Sequence, residues 1–168
     1  MLGASGKRVA SPRTRDDERE AHARGGMKRR SMAPNDITDA DYATLAAFRL
    51  ALRQFAAFSE AAAKAAGLTP RQHQALLAIK GAARTHPNGL GVGEIAKALL
   101  IRHNSAVELV DRLVDAGLVR RQPDPLDGRR SLVVVTDQAE RLLHGLSAVH
   151  RQELRALRPR LLALLDVL

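Results

Sequence analysis

GLGVGEIAKALLIRHNSAVELVDRLVDAGLVRRQPDPLDGRRSLVVVT, residues 89–136, reads as two helices, then two strands joined by a charged turn. That order is a helix-turn-helix followed by a β wing. The wing is the sharper signal. Val119 to Gln122 can form a short strand. Pro123, Asp124, Pro125, Asp127 and Gly128 are turn residues, and the two prolines rule out a helix. Ser131 to Val135 is β-branched and apolar and reads as the return strand. Arg129 and Arg130 lie at the tip, Arg120 and Arg121 at the base.

Val92, Ile95, Ala96 and Leu99 recur at helical spacing and give the first helix a buried face. Gly91 and Gly93 supply no capping oxygen, so its N-terminus is expected to be soft. Leu100 to His103 breaks the pattern. The second helix is predicted to bury Ala106, Val107, Val110, Leu113 and Val114 and to stop at Gly117, which can take the positive φ of a helix C′ residue. Ser105 and Glu108 are spaced as a capping box; if the helix starts at Arg102 or His103 they are only a surface pair. Its exposed side carries Arg102, Asn104, Ser105, Glu108, Arg112 and Asp115. Short polar and charged groups at the front of such a helix can reach base edges in a major groove.

This region resembles the MarR family, the multiple-antibiotic-resistance type of bacterial winged-helix regulator. LVDRLVDAGLVRRQPDPLDGRRSLVVVT carries the family's D-R-L, then G-L-V, then D-P-x-D-x-R, then a strand ending in Thr. GEIAKALLIRHNSAV matches the preceding helix and turn. The resemblance covers about residues 40–168 and is most specific in the wing. Two features depart from it: Gly91, where many relatives have Thr or Ser as a cap, and a long N-terminal extension. The resemblance implies a triangular dimer built by the terminal helices. It also implies an effector bound between those helices and the reader domain. Asp127 and Arg129 fall on the family's wing Asp and Arg, and the family usually represses.

Net charge is +9, but it is unevenly placed. Residues 1–35 hold nine Lys/Arg against four Asp/Glu, whereas residues 91–136 hold seven against six. Bulk charge therefore speaks mostly about the tail. What favours nucleic acid is local sorting, with four of those seven cations flanking the wing. Residues 1–35 lack apolar periodicity and are expected to be a disordered basic tail, with Met27 and Met32 as alternative starts. A basic arm on DNA is the functional alternative.

Thr38 and Asp41 are spaced as a capping box opening a long helix that ends at Gly67. Leu45, Phe48, Leu52, Phe55 and Ala62 form its apolar seam, flanked by Tyr42 and Phe58. Such a seam exceeds what one small core covers and calls for a partner chain. Thr69, Pro70 and Gln72 open the next helix, with Leu76, Leu77 and Ile79 as core, and residues 81–89 form a loop. Leu90 is placed to make a one- or two-residue strand against the wing. Thr136 caps a final helix through about Leu157, with Leu142, Leu143, Leu146, Val149 and Leu154 apolar; Pro159 is expected to break it. The last stretch, LLALLDVL, reads as an interface.

Other chemistry is thin. The histidines, His22, His73, His86, His103, His144 and His150, make no H-x-x-x-H pair and have no acidic cluster beside them. Each is expected to be structural or at the surface, with His73, near a helix junction, the one to watch for a ligand pocket. Cysteine is absent, which excludes disulfides, thiolate metal sites and a cysteine redox switch. Ser105 has no paired base, and the glycines before the first reader helix lack a phosphate-loop signature. No apolar run suits a membrane span or an export signal, and a cytoplasmic protein is the simplest fit.

The expectation is a mainly α protein with a small β wing. It is a winged helix-turn-helix with dimerisation helices at about 36–67 and 137–168 and a DNA-binding part at about 69–136, within a domain of residues 36–168. Its function is that of a sequence-specific duplex-DNA regulator, not an enzyme. It would act as a homodimeric repressor on an inverted repeat, without cofactor or metal, and be released by a small organic ligand. Arg102, His103, Asn104, Ser105 and Glu108 are the expected base or phosphate contacts, with Arg112 on phosphate or paired within the fold. Arg129 is expected to enter the minor groove, held by Asp127, with Arg130 beside it. Two rivals stay open: a winged-helix module that binds protein, its wing arginines paired internally, and a small helical enzyme.

Overall fold

Thr38 starts the first helix as its spacing predicts. Its hydroxyl accepts the Asp41 N–H at 3.2 Å, and the Asp41 carboxylate accepts the Thr38 N–H at 2.7 Å. The Thr38 N–H foremost, and then the Thr38 hydroxyl, which donates to the same carboxylate at 2.8 Å, hold the Asp41 carboxyl below its ordinary value. The structure is a computed structural model that describes residues 37–168, so the expectation for residues 1–35 lies outside the described residues.

The elements are α1 (Asp39–Ala65), α2 (Pro70–Gly81), a 3-10 turn (Ala82–Arg84), β1 (Leu90–Gly91), α3 (Val92–Ala98), α4 (His103–Asp115), β2 (Val119–Pro123), β3 (Ser131–Val135) and α5 (Asp137–Leu165). The strands form an antiparallel sheet in the order β1-β3-β2, with Leu90 opposite Val133 and Val119 opposite Val135. Gly89, at φ 99°, carries the chain into β1 so closely that a Cβ there would lie 2.5 Å from the Val133 carbonyl oxygen.

Three helices end alike. After α1, Gly67 has φ 77° and the Leu68 N–H reaches the Ala63 carbonyl at 2.9 Å. After α4, Gly117 has φ 68° and Leu118 returns to Leu113 at 2.9 Å. After α3 the same bond runs from Ile101 to Ala96 at 3.0 Å, but the left-handed position, φ 53°, is held by Leu100. Thr136 then joins two elements. Its N–H donates to the Leu118 carbonyl at 3.0 Å, and its hydroxyl accepts the Ala139 N–H that opens α5 at 3.3 Å.

The core draws Leu76 from α2, Ile95 from α3, Val110 and Leu113 from α4 and Val133 from β3. Here the structure corrects several expectations. On α4 the buried set is Ala106, Leu109, Val110 and Leu113. Val107 is half-buried and Val114 exposed, because the buried stripe runs 106, 109, 110, 113 and at about 100° per residue both valines fall beyond its edge. The helix starts at His103, so Ser105 and Glu108 do not cap it. The start of α3 is capped from inside, since the Glu94 carboxylate accepts the Gly91 N–H at 2.8 Å. Leu77 is exposed, not core.

Pro159 lies inside α5 and does not end it. Proline costs one helical hydrogen bond and crowds the preceding turn, but its fixed φ suits a helix. Here α5 packs along α1, and past the proline the Arg160 guanidinium donates to Gln54 Oε1 at 3.1 Å. Tertiary contact carries the helix through.

Candidate DNA-binding surface

At the front of α4, Arg102, His103, Asn104 and Glu108 are exposed, and Ser105 is half-buried behind them. Arg112 is exposed one turn further along. The helix thus presents the predicted polar front while Ala106, Val110 and Leu113 hold its back in the core.

The wing is a hairpin whose four arginines differ in what they touch. Arg121 donates to Asp111 Oδ1 at 2.7 Å, which ties the wing's first strand to α4. Arg120 donates to Gln122 Oε1 at 2.6 Å. Arg130 lies between Asp124, at 3.7 Å, and Glu94, at 3.9 Å. Arg129 projects outward, with 97% of its side chain exposed and Asp127 Oδ1 at 3.8 Å from Nε. Asp127 also accepts the Arg129 N–H at 3.1 Å. The spacing of Asp111 from Arg121 showed no pairing, because the contact joins different elements.

A second arrangement lies where α1, α2 and α5 meet. His73 is buried, and its ring centroid is 4.9 Å from that of His150. His150 Nδ1 is 2.6 Å from the Leu146 carbonyl and Nε2 is 2.8 Å from Ser59 Oγ. The edges of Phe55 and Phe58 close the cluster. Burial first, then the charge of His150, hold the His73 imidazole below its ordinary value. A depressed histidine contributes stability that is whole above the unfolded value of about 6.5 and is lost as pH falls below it, levelling off under the folded value. Melting temperature should therefore fall on acidification through that window, and less so in His73→Phe. Equal losses in the two proteins would remove His73 as the cause.

His150 also lines a groove of about 620 Å³ with Leu77, Leu154, Leu161, Leu162 and Leu165, rimmed by Arg151, Arg155 and Arg158. Leu77 faces this groove, which accounts for its absence from the core. Among the described residues there is no group of three or more His, Cys, Asp or Glu that could hold a metal ion. Among them, too, no helix is long and apolar enough to cross a membrane.

A reading helix locked to a three-stranded sheet, with an arginine-tipped hairpin beside it, is a winged-helix protein. Residues 66–130 match the model of the MarR family. A comparison with curated proteins returns no match. Among solved structures, AbsC, a MarR family transcriptional regulator from Streptomyces coelicolor, is 20% identical with a TM-score of 0.63, over 79% of this chain and 87% of its own. A mutant of Staphylococcus aureus MepR bound to an oligodeoxyribonucleotide is 21% identical with a TM-score of 0.54, over 74% and 84%. CouR from Rhodococcus jostii, bound to p-coumaroyl-CoA, is 26% identical with a TM-score of 0.53, over 60% and 68%. Over residues 66–130 the chain matches the MarR family, whose members are DNA-binding transcriptional regulators and not enzymes.

Proposed function

We propose that the protein is a homodimeric repressor that reads an inverted repeat in duplex DNA and leaves it when a small organic ligand binds. In this reading α4 enters the major groove, and Arg102, His103, Asn104, Ser105 and Glu108 meet base edges or phosphates. Arg112 meets phosphate. Arg129 enters the adjacent minor groove, with Asp127 as its orienting partner. The observation that carries the reading is the outward Arg129 on a wing whose base is tied, through Arg121 and Asp111, to the helix with the polar front. The oligodeoxyribonucleotide bound to the MepR mutant supports it by analogy.

In the same reading α1 and α5 dimerise two reader parts, residues 69–136. The apolar residues these helices leave open, Tyr42, Leu45, Leu162 and Leu165 among them, would be covered by the second chain. The leucine-lined groove beside His150 is the proposed ligand seat, by analogy with the organic ligand in CouR. Its site of action is the cytoplasm, where the operator lies.

One observation favours a second reading, a winged-helix module for protein partners: Arg121 and Arg130 are both engaged within the fold. Titration of the protein against duplex at several salt concentrations separates the two. The DNA reading predicts log K falling linearly with log salt, with a slope set by the phosphates neutralised. Absence of duplex binding at low salt would leave the protein-module reading standing.

A further inference from the structure

The wing ends in two consecutive arginines that the structure sends to different places. Adjacent residues entering a strand point to opposite faces. Arg129 takes the outer side, while the Arg130 guanidinium turns back over the start of α3. There it spans two carboxylates from distant parts of the chain, Asp124 Oδ2 at 3.7 Å and Glu94 Oε2 at 3.9 Å.

Both partners have further duties. Asp124 is almost wholly buried, with 9% of its side chain exposed, and its other oxygen accepts the Leu126 N–H at 2.9 Å. A carboxylate taken so far out of water needs a counter-charge, and Arg130 supplies it. The backbone closes the same turn: the Asp124 N–H donates to the Arg130 carbonyl at 3.0 Å, and the Arg130 N–H to Asp127 O at 2.8 Å. Glu94 Oε2 accepts the Gly91 N–H at 2.8 Å, and Oε1 lies 3.5 Å from His86 Nε2. A line of charged and polar side chains therefore runs from the wing turn to the first reader helix and on to the loop before β1.

Gly91 lies against this line. A Cβ built on it would stand 3.2 Å from Glu94 Oε2 and 3.3 Å from an Arg130 guanidinium nitrogen. A serine or threonine here would crowd both side-chain ends, each of which would have to give by a few tenths of an ångström. The helix start lacks a residue-91 side-chain cap; Glu94 supplies only the other half of the box by accepting the Gly91 N–H, and the wing's arginine lies beside it.

We propose that Arg130 is a positioning residue of the wing and not a DNA contact. With Asp124, Glu94 and Gly91 it forms a clamp that sets the wing's angle to α3, and so the depth at which Arg129 meets the duplex. The proposal rests on the DNA-binding reading above.

The test compares Arg130→Gln, Arg130→Lys, Gly91→Ser and Arg129→Gln in the full chain. Duplex affinity is measured at several salt concentrations, with amide hydrogen exchange over residues 124–131 and a melting curve beside it. The clamp predicts that Arg130→Gln weakens binding about three- to tenfold, in the range of lost coupling between neighbouring charges. Its salt slope should stay at the wild-type value, and exchange over 124–131 should rise. Arg130→Lys should restore most of the affinity. Gly91→Ser should weaken binding alone and add little to Arg130→Gln. Arg129→Gln should flatten the slope by about one unit per wing and leave exchange unchanged. A flattened slope for Arg130→Gln with wild-type exchange would overturn the proposal in favour of phosphate contact, and unchanged affinity and exchange would overturn it outright. If wild-type protein binds no duplex, the DNA-binding reading fails; the exchange arm still reports whether the clamp exists.

Discussion

Removing residues 158–168 is expected to yield insoluble or monomeric protein that has lost specific DNA binding. In the structure residues 158–165 are the last turns of α5, continuous through Pro159, and 166–168 follow its end. Together they carry Leu162, Leu165, Val167 and Leu168, all exposed, and Arg160, which donates to Gln54 on α1. The proposed dimer covers this apolar end with the matching end of a second chain. Specific complexes are typically about 10³-fold or more tighter than nonspecific ones, and a lone reader retains only one half-site's share of that margin. Sedimentation shows the oligomeric state and a titration shows the affinity. A soluble monomer that still bound its operator would refute the assembly.

The second large effect is that of Arg129→Ala. It should leave the fold intact and weaken binding by about 1–3 kcal/mol per half-site if the contact resembles a good base contact. The salt slope should flatten by about one unit per wing if the arginine also displaces a counterion. A narrow A·T minor groove has the enhanced negative potential that draws in a guanidinium. The competing account is an ion pair with Asp127, 3.8 Å away. A pair so exposed is worth about 0–1 kcal/mol, and its loss would lower the melting temperature slightly without touching affinity. Unchanged affinity and slope would remove the wing from the mechanism and leave α4 as sole reader.

Local signals were legible in the sequence. Thr38 and Thr69 with their box partners, Thr136, and the glycines at 67 and 117 mark helix ends by bonds that span only a few residues. The wing was legible because Pro125 and Gly128 admit little besides a turn, and Ser131 to Val135 is a strand by composition. Phase was harder. Val107 and Val114 pass for core by hydrophobicity, but at about 100° per residue the buried stripe of α4 runs 106, 109, 110, 113 and takes Leu109 in their place. Pro159 misled because packing on α1 outweighs its local cost. The contacts of Arg121 with Asp111, of Arg130 with Glu94, and of His73 with His150 join separate elements, so no local spacing announces them. Gly91 shows the same limit. Read alone it is a missing cap; in the fold it is the space into which Arg130 packs.

The central claim is that the protein reads a two-fold duplex site. In-vitro selection from random duplex, with the full-length protein, tests it most directly. The account predicts enrichment of an inverted repeat whose half-site centres lie about 34–36 Å apart, one helical turn, flanked by A·T-rich steps where the wings reach the minor groove. Enrichment of no sequence, or of a single unrepeated site bound by one chain, would contradict it.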